Sequence, residues 1–540
     1  MDEIESKIYL VYAAFLHDIG KIAQRTGEAA KSYNNETVYQ MLMPYFHQGK
    51  PSHFHALYTY DFMEERKHFS YCKVGGGEPE DNIATLAFKH HNPSTPLQKL
   101  MAEADRLSSG QDRKEKDEAD EQDIKGQKAY LKVPLQSLFG MINLDKEKEN
   151  KPKDNHYLPL QVFPKDFKEL FPQKKGELKP NYGEPLTNEY KKVYSSFCRQ
   201  LDEFVPEIPK TFWELNQFFI LCERHYYSVP SSTINVPDIN LYDHCSLIAA
   251  LVVAAYDYHR ENGLNDTSVG DRSLKKYILI QGDLSGIQSY ILNFKHEATS
   301  GLAKILRARS FYLQMITKSI EKKILDELQL PPTSVIMSAG SKFQILAPNI
   351  QSLSEKMLHI QFQVDKWLLN RYMGDVSFQI DWSVGFSGND LLQGRFTDVL
   401  VQAGSALDQK KNQKFQSLLF QNVWNSEQFL FSEQYDLLQK NGACYVHGYY
   451  PGEIQDEDSE FISRVAKEEK EVGTELAHSE FISIGNKGKT LPFGKFSFDS
   501  TQNAFRLHQA EDLIPSYSFI GRLPTFSKGN KNNSLILGIV

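Results

Sequence analysis

FLHDIGKIA, residues 15–23, places a histidine–aspartate pair and a glycine at the end of an apolar run. Val11, Ala14, Phe15 and Asp18 fall at helical spacing on one stripe, so the pair reads as facing the core side of a first helix. Three further segments repeat the pattern. His55 lines up with Tyr58, Thr59 and Phe62, and Ile83, Leu86 and Ala87 share a face with His90, beside His91. Leu97, Leu100, Met101 and Ala104 flank Asp105. A buried carboxylate without a partner costs several kcal/mol, and a divalent ion held by imidazoles and carboxylates compensates Asp18 and Asp105 together. Mixed nitrogen and oxygen shells suit manganese, iron, cobalt, nickel or zinc.

Taken singly, each residue has a plainer reading. Asp18 can pair with Lys21, Asp105 with Arg106 or a helix terminus, and a lone buried histidine is more often a hydrogen-bonded core residue than a ligand. His53 and His68 read as surface residues. The ordered set His17, Asp18, His55, His90, His91 and Asp105 is what points to a metal.

At 540 residues the chain is too long for one core. A net charge of −8, spread over mixed acidic and basic runs, excludes a uniformly basic nucleic-acid coat. Five scattered cysteines make no disulfide framework. The acidic start MDEIESK does not read as a secretory signal. No apolar run reaches the roughly 18 residues of a membrane span. A cytoplasmic protein without membrane contact is expected.

The all-α start gives way to the polar runs SSGQDRKEKDEADEQDIKGQ (108–127) and LDKEKENKPKDNHY (144–157), and 187–262 is helical again. KKYILIQGD (275–283) is a strand, followed by a short helix in SYILNF and a long one through LAKILRARSFYLQMITKSIEKKI. SVIMSA, a turn at Gly340-Ser341, KFQILAP, a helix around 352–371 and the strand VSFQIDWSVGF complete a ferredoxin-like α+β layer. Asp283 reads as a helix cap near Ser285, and Asp243 as a cap of the helix starting at LYDH, where His244 reads as structural.

The set of histidines and aspartates resembles the HD phosphohydrolase superfamily. The chain as a whole resembles one branch, the large subunit of type III-A (Csm-type) CRISPR effector complexes. The matching segments are FLHDIGK (15–21), KHHNP (89–93), EADRLSSG (103–110), VPSST (229–233), LYDHCS (241–246), GDLSGIQSYI (282–291) and LRARSFYLQ (306–314), in the family's order. The resemblance implies a metal-dependent single-strand deoxyribonuclease acting in antiviral defence. Its partners are other complex subunits, crRNA and target RNA, and its ion is manganese, nickel or cobalt rather than magnesium. By position the resemblance implies His17, Asp18, His90, His91 and Asp105 as the metal and catalytic set, with His17 and Asp18 catalytic, and His55 carries over with His53 as a competitor.

The fold class that follows is multidomain α+β: an HD domain (1–125), a helical linker region (126–270), a first palm (271–440), a small helical region (441–505) and the start of a second palm cut short at Val540 (506–540). The family's second activity, joining ATP into cyclic oligoadenylates, needs paired acids to hold two metals. The hairpin SAGSKFQIL (338–346) has none and no GGDD occurs, so no cyclic product is expected from this chain. ATP contact is expected at Asp283, Ser285, Gly340, Ser341 and Lys342. Of the family's four-cysteine zinc site only Cys444 and His447 are in place, so zinc is not expected. A stand-alone HD phosphohydrolase on nucleotides and a non-catalytic scaffold are the alternatives.

Overall fold

Helix α1 (Glu3–Leu16) is apolar on every side, and each residue from Ser6 to Leu16 is buried, the pattern of a helix at the centre of a bundle. Its one deep charge, Lys7, meets Asp257 at 2.8 Å. The computed structural model describes residues 3–499, except 43–45, 48–49, 52, 111–128, 142–155, 165, 205–207, 213, 234–236, 295–300, 393–394, 420–426, 457–458, 480 and 486, together with the backbone of 519–522. Most of the first polar run and the final segment NNSLILGIV lie outside the described residues.

The chain breaks at His17-Asp18 and continues as α2 (Ile19–Arg25), so Asp18 sits in the break rather than on the stripe of α1. Helices α3 (His55–Glu65), α4 (Ile83–Phe88) and α5 (Pro96–Ser109) follow. An Asn82–Thr85 capping box starts α4. The helix stops before His90, which therefore lies just past the helix rather than on its face. Helices α6 (Thr187–Phe204) and α7 (Asn216–Tyr226) lead to α8 (Leu241–Asn262). The cap of α8 is Asn240, which accepts from the Asp243 amide at 2.8 Å, so Asp243 is capped and does not cap. Helix α8 packs against both α1 and α5. The bundle is therefore closed by a helix more than 130 residues downstream of α5.

The sheet reads off the sequence closely. Strands β1 (Tyr277–Ser285), β2 (Val335–Ala339), β3 (Lys342–Pro348), β4 (Ser377–Asp381) and β5 (Gly385–Phe386) alternate with α9 (Leu302–Leu328) and α10 (Leu353–Tyr372). The order β2-β3-β1-β4, antiparallel throughout, is the split βαβ topology of a ferredoxin-like layer. Gly286, just after β1, has φ +91 and a Cβ there would meet the Asp375 carbonyl at 2.0 Å, so only glycine fits.

Gly282, Phe343, Phe378 and Ile380 share one face. The other carries Gln281, Asp283, Lys342, Gln379 and Asp381, which helix α11 (Phe396–Lys411) meets through Lys410 and Lys411. Helix α12 (Arg464–His478) packs on α9. It is anchored by the fully buried pair Arg309–Glu469 (3.1 Å), with Tyr290 donating to the same carboxylate. The region to 499 is less helical than expected. Strands β6 (Phe481–Gly485), β7 (Lys489–Thr490) and β8 (Lys495–Asp499) join β9 (Phe519–Arg522) in a second antiparallel sheet ordered β7-β8-β6-β9.

Candidate metal centre

The turn between α1 and α2 is held by Thr59 of α3, which accepts from the Gly20 amide (3.2 Å) and donates to the His17 carbonyl (2.8 Å). Gly20 makes the approach possible. A Cβ there would lie 2.0 Å from the His55 carbonyl oxygen and 2.8 Å from the Thr59 nitrogen. Asp18 and His55, 37 positions apart, are brought together by that close crossing of α2 and α3.

Asp18 lies at the middle. Its Oδ2 is 3.2 Å from His17 Nε2, 3.5 Å from His244 Nε2 and 2.7 Å from Lys21 Nζ. Its Oδ1 is 3.4 Å from His55 Nε2 and 4.0 Å from His90 Nε2. Asp105 Oδ1 faces His244 (3.3 Å) and His17 (3.8 Å), and His91 Nε2 lies 2.8 Å from His55 Nε2. All six expected residues therefore converge, and His244 joins them. Read from sequence as structural, His244 is instead placed among the donor atoms; the signal was the LYDHCS segment itself, on a helix whose partners are invisible in sequence. His53 is not in the cluster; its ring lies against that of His91, 4.0 Å between centroids. The expected Asp18–Lys21 pair is real and coexists with the cluster, while Asp105 turns to the histidines rather than to Arg106.

The tautomers are set from behind. His17 donates through Nδ1 to the Ala14 carbonyl (2.7 Å) and His90 to that of Ala87 (2.5 Å). A carbonyl can only accept, so Nδ1 keeps its proton and each ring turns Nε2 toward Asp18, bare whenever the ring is neutral. Asp18 Oδ1 and Nε2 of His17, His90 and His244 are buried without a hydrogen-bond partner, although within ion-pair reach of the cluster, while Asp18 Oδ2 has Lys21 beside it. Ligands on one ion with bonds near 2.1 Å stand about 3–3.5 Å apart, the spacing found around Asp18. Among the described residues, three groups of donor atoms each lie within 4.8 Å of one another: His17, Asp18 and His244; His17, His90 and Asp105; and His55, His90 and His91. The residues fit a divalent ion.

Burial pushes the imidazoles of His55 and His91 well below their ordinary range and that of His90 down to about 4, so all three are neutral donors at pH 7. His17 differs. Burial pushes it down, but the carboxylates of Asp18 and Asp105 more than reverse this and hold it well above the usual value. Burial raises Asp18, and the His17 and Lys21 charges overcome it and keep the carboxylate ionised. Burial likewise raises Asp105, and His17 and His244 reverse that.

At the sheet, Asp283 is no helix cap. It sits inside β1 opposite Lys342, paired with Lys342 (3.2 Å) and Lys411 (2.5 Å), with Ser341 Oγ at 3.5 Å. Gly340 is the adjoining turn, with φ +59 and open space around it. Ser285 stands apart from these four, opposite Ser377. Cys444 Sγ lies 3.7 Å from His447 Nδ1 and accepts from the Ser463 amide at 3.1 Å. His447 Nε2 faces Glu469 at 3.4 Å.

A helical bundle around a buried imidazole–carboxylate cluster, joined to a ferredoxin-like sheet, is thus the class of protein. Residues 276–428 match the family described as Csm1 subunit domain B. The chain is 26% identical over 414 residues to the CRISPR system single-strand-specific deoxyribonuclease Cas10/Csm1 (subtype III-A) of Methanocaldococcus jannaschii, covering 71% of this chain and 46% of that protein. It is 25% identical over 434 residues to its namesake in Enterococcus italicus (76% and 51%) and 22% over 516 residues to that of Streptococcus thermophilus (91% and 59%). The chain spans about half the length of these curated relatives.

Among solved structures it is similar to the Csm1–Csm4 subcomplex of the type III-A CRISPR-Csm interference complex (TM-score 0.57, 19% identity, 93% of this chain and 56% of that one). It is also similar to the Csm1–Csm4 cassette in complex with cA4 (TM-score 0.55, 17% identity, 93% and 56%). Sequence and fold alike are thus similar to Csm1-type large subunits of type III-A CRISPR complexes.

Proposed function

We propose that the chain is a metal-dependent nuclease acting on single-stranded DNA within a crRNA-guided type III-A complex. The first helical block, 1–125, is read as an HD domain completed by α8 of the linker region, and 271–440 as a palm. The observation that carries the reading is the convergence of buried donor atoms without hydrogen-bond partners on Asp18. His17, Asp18, His55, His90, His91, Asp105 and His244 are the candidate donors for a divalent transition metal, a class that the mixed nitrogen and oxygen set suits.

A divalent ion there supplies Lewis acidity and a nucleophile drawn from water at neutral pH. The chain's own residues do the rest. The Ala14 and Ala87 carbonyls hold the Nδ1 protons of His17 and His90 and so aim each Nε2 at Asp18. Asp18 lies between the two histidine groups. Lys21, partly exposed at 19%, keeps a positive charge 2.7 Å from Asp18 at the edge of the site, where a backbone phosphate is attracted. The names of the relatives, single-strand-specific deoxyribonucleases, support the substrate. The cA4-bound relative supports nucleotide binding, for which Asp283, Ser285, Gly340, Ser341 and Lys342 are the candidate residues, and the Csm4-bound relatives support a partner subunit.

The test is a Mn2+-supplemented assay on single-stranded DNA, double-stranded DNA, mononucleotides and cyclic dinucleotides in parallel. Cleavage of single-stranded DNA ahead of the rest is expected. Hydrolysis of mononucleotides alone would overturn the proposal in favour of a stand-alone phosphohydrolase.

A further inference from the structure

His17 and His90 each have a carbonyl behind Nδ1, but His244 has a side chain there instead. Ser108 Oγ lies 3.0 Å from His244 Nδ1 and 3.2 Å from the carbonyl oxygen of the same His244. A serine hydroxyl has one proton and a carbonyl has none. With that proton given to the carbonyl, Oγ is left as the acceptor for Nδ1–H. Nε2, buried and without a hydrogen-bond partner, then offers its lone pair to the space shared with Asp18 (3.5 Å) and Asp105 (3.3 Å). The opposite arrangement, with Ser108 donating to Nδ1, would put an N–H on the side of the carboxylates, and such a ring cannot bind a cation.

We propose that Ser108 is a positioning residue that selects the cation-binding tautomer of His244. The inference rests on the metal-centre reading and adds to it a residue outside the donor set. Helix α5 carries both parts, since Ser108 follows Asp105 by three positions, on a neighbouring part of the same helix surface. A single helix therefore supplies one acidic donor and orients a histidine belonging to α8. Groups that orient a metal-binding histidine in this way typically contribute about 10–100-fold in metal affinity.

The experiment measures Mn2+ affinity by calorimetry on the full chain for wild type, Ser108→Ala, Ser108→Thr, His244→Ala and the Ser108→Ala/His244→Ala double variant. Metal-free thermal unfolding is recorded beside each. The expected result is about a tenfold loss for Ser108→Ala, recovery in Ser108→Thr, and no further loss when Ser108→Ala is added to His244→Ala. An unchanged affinity in Ser108→Ala while His244→Ala weakens binding overturns this inference and leaves the metal centre standing. So does an equal loss from Ser108→Ala in both backgrounds, which marks a purely structural residue. Absence of Mn2+ binding by the wild type overturns the metal centre and this inference with it.

Discussion

Replacing Gly20 with alanine adds one methyl group to the most crowded point of the centre. The new Cβ would lie 2.0 Å from the His55 carbonyl oxygen, against about 3.3–3.6 Å for a relaxed carbon–oxygen contact. The obstacle is backbone on both sides, so no rotamer change relieves it and α3 must retreat by roughly 1.3–1.6 Å. Overpacking of this kind costs about 1–3 kcal/mol. The retreat also breaks the two Thr59 hydrogen bonds, to the Gly20 amide and the His17 carbonyl, each worth about 1 kcal/mol net. Alanine's higher helix propensity returns about 1 kcal/mol. Sterics win, with a net loss of about 2–4 kcal/mol.

The same movement draws His55 away from Asp18, now 3.4 Å apart, so Mn2+ affinity falls at least about tenfold. Urea unfolding in EDTA and a calorimetric Mn2+ titration read the two effects. Gly404→Ala in α11, where a Cβ meets nothing within 4 Å, is the control and is expected to be neutral or slightly stabilising. A Gly20→Ala protein that unfolds and binds Mn2+ like wild type would refute the reasoning.

Two further outcomes follow from buried charge. His17, held protonated at neutral pH by Asp18 and Asp105 against its burial, must lose a proton before Nε2 takes a cation. Mn2+ affinity therefore rises with pH, by about tenfold per unit below the raised His17 value, and binding at pH 7 releases a proton seen as buffer-dependent heat. Without metal the same group acts in the other direction. Its contribution to stability is complete below the unfolded value of about 6.5 and is lost as pH rises through the raised folded value. Affinity that is flat between about pH 6 and 8 contradicts this. At the α9–α12 contact, Glu469→Ala leaves the Arg309 guanidinium buried and unpaired and costs about 3–5 kcal/mol, whereas the Arg309→Met/Glu469→Leu double variant costs far less. Equal losses in urea unfolding would rule out an uncompensated charge as the cause.

The strands were legible because their alternation survives in single segments: KKYILIQGD, SVIMSA, KFQILAP and VSFQIDWSVGF each fall on an observed strand. The clustering of the first six candidate residues was legible because an ionisable group on or beside an apolar stripe demands compensation wherever it occurs. What the sequence did not disclose depends on pairing across long separations. His244 sits on a helix that is buried nearly all round, so its neighbours look like any core, and its partners Asp18 and Asp105 lie more than 130 residues away. Asp283 resembles a cap until register places it opposite Lys342. Gly20 carries no chemistry of its own, and its role shows only when α2 and α3 cross.

The measurement that bears most directly on the metal-centre account is cleavage of single-stranded DNA with Mn2+ by the wild type and by His17→Ala/Asp18→Ala, with folding of both checked by circular dichroism. Those two residues stand at the break between α1 and α2 where the donor groups meet. The account predicts metal-dependent cleavage by the wild type that falls to background in a folded double variant. Cleavage that survives the double substitution would contradict it.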